Sequence, residues 1–169
     1  MACITQLLID ISANVLAGVL LALLLFWARE KWFPLPAISG QWYFETRTTE
    51  SSYAPYRNMT LRYVVVIWRE GSKIQGTAEK LWEYSTREGT RSYDGANRTR
   101  SKVEGYIEKS YFGPDRMLVH IVEEGHKRES TNFHDLVVTA NDRMPGTFVS
   151  MVANQKGTAL WQRSPFPSE

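Results

Sequence analysis

The stretch from Ile11 to Ala28 constrains the fold of this chain most strongly, because its eighteen residues include no charged side chain. A run of this length and apolarity matches the roughly 30 Å hydrocarbon core that a helix must cross. The apolar sequence extends back to Ile4, although it then includes Asp10. We therefore predict one membrane-spanning helix over residues 4–28, within an anchor region at 1–32.

A cleaved signal peptide and a buried helix of a soluble core are the alternatives to a membrane anchor. A signal peptide has a basic start and a small-residue cleavage site, whereas no Lys or Arg precedes Arg29. A core helix is apolar on one face, and this stretch is apolar all round. The stretch ends with Trp27, Arg29, Lys31 and Trp32, a combination typical of a membrane interface.

The orientation of the anchor follows from the basic residues that flank it. Arg29 and Lys31 come after the span, and only the terminal amine comes before it. Cytoplasmic flanks are enriched in Lys and Arg. We therefore expect the N-terminus outside and the C-terminal domain in the cytosol.

One helical face of the span contains Asp10, Asn14, Ala17, Gly18 and Leu21, which are spaced three or four residues apart. Small residues let helices approach closely in lipid, and an amide hydrogen-bonds across the contact. An acidic residue in a span tends to face water or a partner. Two interpretations stay open: Asp10 lies in the outer headgroups and the face is accidental, or Asp10, Asn14 and Gly18 pack copies of the helix together.

Residues 33–38 form a Pro-containing connector, and residues 39–169 are long enough for one domain with its own core. A net charge of +2 does not indicate a general binder of DNA or RNA. The single Cys excludes an internal disulfide framework and thiolate metal clusters.

Turn residues recur between runs of β-branched and aromatic residues after the connector, which predicts an all-β domain. The predicted strands are at residues 39–49, 59–70, 73–84, 98–111, 116–124, 129–139, 147–153 and 158–163. Residues 85–97 read as a long polar loop, and Pro145 and Gly146 as part of a connection. The short links favour a closed, eight-stranded, antiparallel up-and-down barrel without exposed edges. A β-sandwich is the competing architecture.

Gly40-Gln41-Trp42 opens the first strand and Trp161-Gln162-Arg163 ends the last. This pair of features resembles the lipocalin-like barrels. The resemblance implies that Trp42 plugs one barrel end and that Arg163 covers its indole face, which is a favourable cation–π arrangement.

The order of anchor, short linker and small barrel is similar to that of the membrane-spanning, β-strand-rich effectors of bacterial CBASS anti-phage systems. The resemblance implies an inner-membrane location and a cytosolic barrel that binds a cyclic oligonucleotide. It also implies that the anchors assemble into homo-oligomers and disrupt the membrane. The family usually has two spans and this chain has one, so the ligand's effect, activation or restraint, stays open.

A cyclic dinucleotide requires cations or backbone N–H groups for its phosphates and aromatic faces for its bases. The segment from Tyr84 to Lys102 supplies these groups most densely. The candidate ligand-binding residues are Tyr84, Arg87, Arg91, Tyr93, Arg98, Arg100 and Lys102, with Arg62 from the second strand. A second set comprises Arg47, Trp68, Trp82 and Tyr106. A solvated flexible loop and a loop that binds anionic lipid headgroups are the other interpretations.

The sequence indicates no enzyme, because it has no Gly-rich phosphate loop, no H-E-x-x-H helix and no nucleophile elbow. No catalytic residue, metal or cofactor is therefore expected. His120 alternates with strand hydrophobes and is expected to pack, whereas His126 and His134 are expected in or near turns. Glu123 and its acidic neighbours are expected on the solvent face of strands.

Two further hypotheses stand beside the nucleotide-gated membrane effector. The first is a membrane-tethered, lipocalin-like carrier of an apolar ligand or lipid, which predicts a wholly apolar lumen. The second is a structural membrane protein whose barrel binds another protein through the outer face around Val64, Val66 and Trp68.

Overall fold

The structure, a computed structural model, describes residues 2–32, 34–110, 112–124, 129–139 and 142–167. The chain divides into two compact units between Leu35 and Pro36. The first unit contains the helix and the second contains the strands.

Helix α1 covers Ala2–Trp32 and is longer at both ends than the predicted residues 4–28. Within it, Ile9–Arg29 is long and apolar enough to cross a membrane, and none of this span is buried inside the protein. Leu and Ile side chains that are buried nowhere in the chain lose the hydrophobic stabilisation of a core. The length and composition of α1 thus suit a single-pass membrane helix.

Nine strands occur in the described part of the second unit. They are β1 Gly40–Glu50, β2 Thr60–Glu70, β3 Lys73–Ser85, β4 Gly89–Ser92, β5 Arg100–Glu108, β6 Arg116–Glu124, β7 Glu129–Val137, β8 Arg143–Ser150 and β9 Gln155–Gln162. Eight of them follow one another in the antiparallel order β2-β1-β9-β8-β7-β6-β5-β3, and pairing of β2 with β3 closes the ring. The predicted closed eight-stranded barrel is confirmed.

Strand β4 lies in the segment that was predicted to be a loop at residues 85–97. Pairing of β3 with β5 reaches Glu79 opposite Arg100. Because β3 continues to Ser85, its last residues have an open edge on that side, and β4 pairs with this edge between Trp82 and Ser85. The loop prediction was wrong for these four residues. They pair with the end of β3 and do not form a ninth strand of the closed barrel.

Strand β8 begins at Arg143 and therefore includes Pro145 and Gly146, which were predicted to belong to a connection. Pro145 lacks an N–H and disrupts a central ladder. Here it lies one residue beyond the last register pair with β7, Leu136 opposite Gly146, and is paired only with Leu160 of β9. Proline is tolerated at this position because the neighbouring ladder has already ended.

The middle of the barrel is filled by inward-facing side chains. Alternate residues of each strand point inward, so one apolar row per strand builds the core. The fully buried side chains include Val65, Ile67, Ile74, Val103, Met117, Val119, Leu136 and Met144.

One barrel end is closed by Trp42, which is buried near the start of β1. Its indole Nε1 donates a hydrogen bond to the Ile38 carbonyl oxygen at 2.7 Å. The Arg163 guanidinium lies 4.0 Å from the centre of the Trp42 ring. Arg163 also donates to the carbonyl oxygens of Gln41 at 3.0 Å and Ser39 at 3.2 Å. These contacts fix the plug to the first and last strands.

Candidate functional site

A cavity of about 170 Å³ lies at the barrel end opposite Trp42. It is lined by the end of β1, the start of β2, the end of β3 and the adjoining ends of β6 to β9. Antiparallel strands bring these segments to one rim although they are far apart in the sequence. We call this cavity the rim cavity.

Aromatic rings from five strands lie at the inner end of the rim cavity. Phe44 stacks on Tyr63 with ring centres 4.5 Å apart and on Trp161 at 4.9 Å. His134 meets Phe44 edge-on at 5.3 Å, and Phe148 packs against His134 at 5.9 Å. Stacked and edge-to-face arrangements of this kind are favourable and rigid, so the inner end of the cavity is closed by a preformed aromatic floor whose rings pack against one another.

His134 is buried, with 1% of its surface exposed, and lines this cavity. Its Nδ1 accepts a hydrogen bond from the Trp161 indole Nε1 at 3.1 Å. An indole N–H only donates, so Nδ1 carries no proton and the neutral ring is protonated at Nε2. Burial lowers the pKa of His134 to about 3, which agrees with a neutral imidazole.

A network of largely buried charged and hydroxyl groups lies in the wall of the rim cavity and continues to Tyr93, which does not line the cavity. Lys80 Nζ lies 2.7 Å from Glu123 Oε1 and 3.8 Å from Glu83 Oε2. The Tyr63 hydroxyl donates to Glu123 Oε2 at 2.7 Å, and the Tyr93 hydroxyl donates to Glu83 Oε2 at 2.8 Å. Burial, followed by the nearby carboxylate, raises the pKa of Tyr63 well above its usual value. The same causes raise the pKa of Tyr93 to about 12, so both hydroxyls remain donors.

The charges that line the rim cavity do not balance. One lysine, Lys80, faces two carboxylates, Glu83 and Glu123, and His134 is neutral. Counted by residue type, with one Lys and two Glu, the lining therefore has a formal charge of −1. This interior disfavours an anion and suits a neutral ring with hydrogen-bond donors.

A second cavity of about 200 Å³ lies beside the first, between the β1–β2 loop and the β3–β4 turn. The two cavities share Tyr56, Met59 and Glu83. Arg87 lines the second cavity and donates from Nη1 to the Tyr53 hydroxyl at 3.0 Å. A cation thus lies beside the rim cavity but outside its interior.

Three of the cations predicted to bind a ligand are paired with carboxylates on the outside of the barrel. Arg98 Nη1 lies 3.1 Å and Arg100 Nε 3.9 Å from the Glu79 carboxylate. Lys102 Nζ lies 2.5 Å from Glu104. The Glu104 side chain raises the pKa of Lys102, and Lys102 lowers the pKa of Glu104. The structure does not bring these cations to either cavity.

Arg62 also faces outward from β2. Its Nε lies 2.6 Å from Glu45 Oε2, and its guanidinium covers the Trp82 ring at 4.4 Å. Tyr84 is exposed and stacks on Trp82, with ring centres 6.4 Å apart. These residues form an outer cluster of aromatic and charged side chains on β2 and β3.

Tyr93 and Arg87 are the predicted ligand residues that approach the two cavities. The Tyr93 ring has Lys80 Nζ 5.5 Å and the Arg91 guanidinium 5.2 Å from its centre. Tyr93 therefore links the β4 segment to the wall of the rim cavity. In the second set, Arg47, Trp68 and Tyr106 are exposed on the outer face.

Asp10, Asn14 and Gly18 lie on α1 and are exposed. Their predicted role in packing helices together involves a second copy of the chain, so it stays a prediction. His126 lies outside the described residues.

Sequence reasoning missed Lys80, Glu83, Glu123 and His134. Glu123 was expected to face solvent, yet it is only 7% exposed. It continues the inward row of Met117, Val119 and Ile121 on β6, so strict alternation was the available signal. His120 lies on the other face of β6 and is exposed, which makes the expectation that it packs wrong.

Among the residues that the structure describes, no group of three or more His, Cys, Asp or Glu side chains could hold a metal ion. The candidate site is the pair of adjoining cavities at the barrel end opposite Trp42.

No protein-family model matches the sequence, and no curated protein matches it. A solved structure of a redesigned β-barrel is similar, with a TM-score of 0.52 and 12% sequence identity. The match covers 76% of this chain and 92% of that chain. At this identity the likeness establishes the barrel fold alone.

Proposed function

We propose that this chain is a membrane-anchored sensor whose barrel binds a cyclic dinucleotide and thereby controls self-association of the anchor helices. The observation that carries the proposal is the pair of adjoining cavities at the open barrel end, one with an aromatic floor and one with Arg87. The chain acts in this proposal by binding and assembly, without a catalytic step.

The sizes of the two cavities support a ligand with two flat rings. An engineered protein cavity of about 150 Å³ holds a benzene-sized molecule, so a rim cavity of about 170 Å³ accommodates one ring system. Typical pockets for drug-sized molecules are about 300–1,000 Å³. The two rings of a cyclic dinucleotide would therefore occupy the two cavities separately, on either side of Tyr56 and Met59.

A single exposed cation, Arg87, is the feature that supports a phosphate at the mouth. Transfer of a phosphate into an interior with a formal charge of −1 is unfavourable. Arg87 lines the second cavity together with Glu83 and Glu88. Its guanidinium is exposed and is the group there that would donate a charge-assisted hydrogen bond to a phosphate.

The anchor supports the second half of the proposal. A single span with a polar face allows association of several copies in the bilayer. We place the barrel in the cytosol of a bacterium and the helix in its inner membrane, where assembled helices would disrupt the bilayer. Ligand binding would either trigger or restrain this assembly.

The alternative function, as a carrier of an apolar ligand, has less support than the function as a sensor. The ion pair between Lys80 and Glu123 lies in the wall of the rim cavity, with both side chains at most 12% exposed. A wholly apolar lumen, which a lipid carrier requires, is not found at this end of the barrel.

Calorimetric titration of the full chain in lipid nanodiscs with cyclic di-AMP and cyclic di-GMP tests the binding step. We expect saturable binding, and Arg87→Ala should weaken it about tenfold, because a hydrogen bond to a charged group contributes about 1.5–3 kcal/mol. Arg69→Ala is the matched control, since Arg69 donates to the Gly71 carbonyl in the hairpin at the other barrel end. Absence of binding to the wild-type chain would refute the proposal.

Dye release from liposomes that contain the full chain tests the second step. The cyclic dinucleotide that binds should either raise or suppress leakage. Leakage that is the same with and without this nucleotide would remove the effector role and leave a binding protein.

A further inference from the structure

We propose that the outer wall of the barrel beside the β8–β9 turn docks on a bilayer surface that contains anionic phospholipids. Two grooves meet on this wall, and they share Asn154 and Lys156. Most of one groove is lined by apolar side chains, and the other is lined by polar and charged ones. We call the two together the wall groove. The inference requires a membrane but no cyclic dinucleotide, so it goes beyond the proposed function.

Strand register places the apolar half of the wall groove on neighbouring strands. Phe133 of β7 pairs with Val149 of β8, and Val149 pairs with Lys156 of β9. Met151 follows β8 directly and is 79% exposed, and Phe133 and Val149 are exposed as well. Exposed apolar side chains that adjoin one another mark a surface that contacts a partner or a membrane.

Two cations supply the charge of the wall groove. Lys156 and Arg57, which lies between β1 and β2, line its polar half together with one carboxylate, Glu50, and all three are exposed. Among the residues that the structure describes, neither cation has an ion pair or a side-chain hydrogen bond. With two cations and one carboxylate, the lining has a formal charge of +1. The wall groove therefore attracts an anion, unlike the rim cavity.

The β8–β9 turn, residues 151–154, is held in a strained conformation beside these groups. Ala153 has a φ of 53°, a left-handed conformation that is unfavourable for alanine. Its carbonyl oxygen accepts hydrogen bonds from Ser52 N at 2.9 Å, Ser52 Oγ at 2.7 Å and Ser51 Oγ at 3.2 Å. Strain that neighbouring residues maintain in this way is concentrated at functional sites. Here it presents Met151 on a turn that is fixed to the β1–β2 loop.

An anionic bilayer surface satisfies both halves of the wall groove. Apolar side chains of a peripheral membrane surface enter the boundary between headgroups and acyl chains, while its cations contact anionic headgroups. A nucleotide fits this groove less well, because Phe133, Val149 and Met151 offer no hydrogen-bond partner to the polar edge of a base. Lipid is therefore the occupant that matches the lining.

The connector between α1 and β1 is long enough for this contact. It consists of residues 33–39, and an extended chain of this length reaches about 25 Å. Strand β9 has 8 residues and is therefore about 26 Å long. Since the two lengths are similar, the connector allows the wall near the β8–β9 turn to reach the bilayer surface.

Relaxation of methionine methyl signals by a nitroxide on lipid headgroups tests this contact. The full chain, with ¹³C-labelled methionine methyl groups, is placed in nanodiscs of phosphatidylcholine with and without phosphatidylglycerol. The nitroxide should broaden the signal of Met151 more than that of Met59, which is buried at the same barrel end. Phosphatidylglycerol should increase the broadening of Met151, since each cation near an anionic surface strengthens binding about fivefold. Equal broadening of Met151 and Met59, or no effect of phosphatidylglycerol, would overturn the inference.

Arg57→Gln/Lys156→Gln tests the cations of the wall groove. In discs with phosphatidylglycerol, the broadening of Met151 should fall to its value in phosphatidylcholine. Arg69→Gln/Lys73→Gln is the matched control, because it removes the same charge around the β2–β3 hairpin at the other barrel end, and it should retain the wild-type broadening. The opposite pattern in the two variants would contradict a role of Arg57 and Lys156.

Phe133→Ser/Val149→Ser tests the apolar half and should also reduce the broadening of Met151. Val66→Ser/Trp68→Ser is its control, since it replaces exposed apolar side chains on β2, and it should leave the broadening unchanged. Circular dichroism establishes that all variants are folded. Equal broadening in wild type and both apolar variants would show that these side chains do not enter the bilayer.

Nucleotides added to discs of phosphatidylcholine alone separate this inference from the proposed function. A shift of the Met151 signal with adenosine monophosphate, without broadening in anionic discs, would assign the wall groove to a nucleotide and exclude lipid docking. Broadening of Met151 in anionic discs, without binding of any cyclic dinucleotide, would refute the proposed function and leave this inference intact.

Discussion

The Lys80–Glu123 pair shows how one residue controls the stability of the barrel rim. Both side chains are nearly buried, and Glu123 also accepts a hydrogen bond from Tyr63. Formation of a buried ion pair gains little net energy because both ions lose water, but removal of one partner leaves the other uncompensated. The pair therefore matters most when it is broken.

Lys80→Met should lower the free energy of unfolding by about 3 kcal/mol, because Glu123 would remain charged and buried without its partner. Urea unfolding of the full chain in detergent, followed by tryptophan fluorescence, measures the change. The double variant Lys80→Met/Glu123→Leu should recover much of this loss. Lys102→Met is the control, since Lys102 and Glu104 are exposed, and a loss as large as that of Lys80→Met would contradict the argument.

His134 makes the stability of the barrel sensitive to acid. Its pKa is about 3 in the folded chain and about 6.5 when unfolded, so between these values the unfolded chain binds more protons. Stability is complete above pH 6.5 and falls as the pH falls toward 3. From pH 7 to pH 5 this group should remove about 2 kcal/mol from the free energy of unfolding.

His134→Gln should flatten this dependence, because glutamine accepts the Trp161 hydrogen bond but does not titrate. Urea midpoints at pH 7 and pH 5 measure the difference between variants. His120→Gln should keep the wild-type dependence, since His120 is exposed. Equal slopes for wild type and His134→Gln would exclude His134 as the titrating group.

Strands β5 and β6 approach each other closely at Gly105. A Cβ atom placed there would clash with the carbonyl oxygen of Leu118 and approach Val119 Cα at 3.0 Å. Glycine inside a strand marks a bend or a close backbone contact. The curvature of the barrel wall therefore depends on the missing side chain at this position.

Gly105→Ala should destabilise the barrel by about 2 kcal/mol, because the added methyl group would force the two backbones apart. Thermal unfolding monitored by circular dichroism measures this effect. Gly113→Ala is the control, as its Cβ would meet only Ser110 Oγ at 3.4 Å. The two variants should differ in melting temperature by several degrees, and equal melting temperatures would show that β5 and β6 can separate at little cost.

At the scale of the whole molecule, an apolar helix is joined to a closed barrel whose one end is plugged and whose other end carries two cavities. Barrel closure removes exposed edges from the eight strands. Because these eight strands have no free edge for pairing with a second barrel, our proposal assigns self-association to the helix. In the same proposal, copies would meet at the face of α1 that contains Asp10, Asn14 and Gly18.

Asn14→Leu/Gly18→Leu should abolish chemically cross-linked oligomers in membranes, because leucine removes both the amide and the close approach of helices. Val15→Leu/Val19→Leu alters a different face of α1 and should leave the cross-linked species unchanged. Immunoblots of cross-linked membranes show the outcome. Persistence of oligomers in the first variant would locate the contact elsewhere.

Much of the fold could be predicted because its signals are local. An uncharged stretch such as Ile11–Ala28 predicts a helix that is long and apolar enough to span a membrane, and alternation with turn residues predicts strands one at a time. The predictions of secondary structure were wrong where the conformation of a segment depends on strands that are distant in the sequence. Pro145 is tolerated within β8 because the hydrogen-bonded pairing of β8 with β7 has already ended there. Strand β4 forms because β3 continues beyond the end of its pairing with β5.

The candidate site could be predicted only in small part. The density of cations between Tyr84 and Lys102 favoured that segment as the ligand site, but carboxylates on neighbouring strands pair with Arg98, Arg100 and Lys102. These ion pairs depend on the register between neighbouring strands, which cannot be read from the sequence of one strand.

The sequence by itself determined that an apolar helix precedes an all-β domain, because length, hydrophobicity and alternation are properties of consecutive residues. Only the tertiary structure decided that Lys80, Glu83, Glu123 and His134 share one cavity. These residues come from strands β3, β6 and β7. They meet because closure of the barrel and the pairing register of its strands bring distant segments of the sequence to the same barrel end.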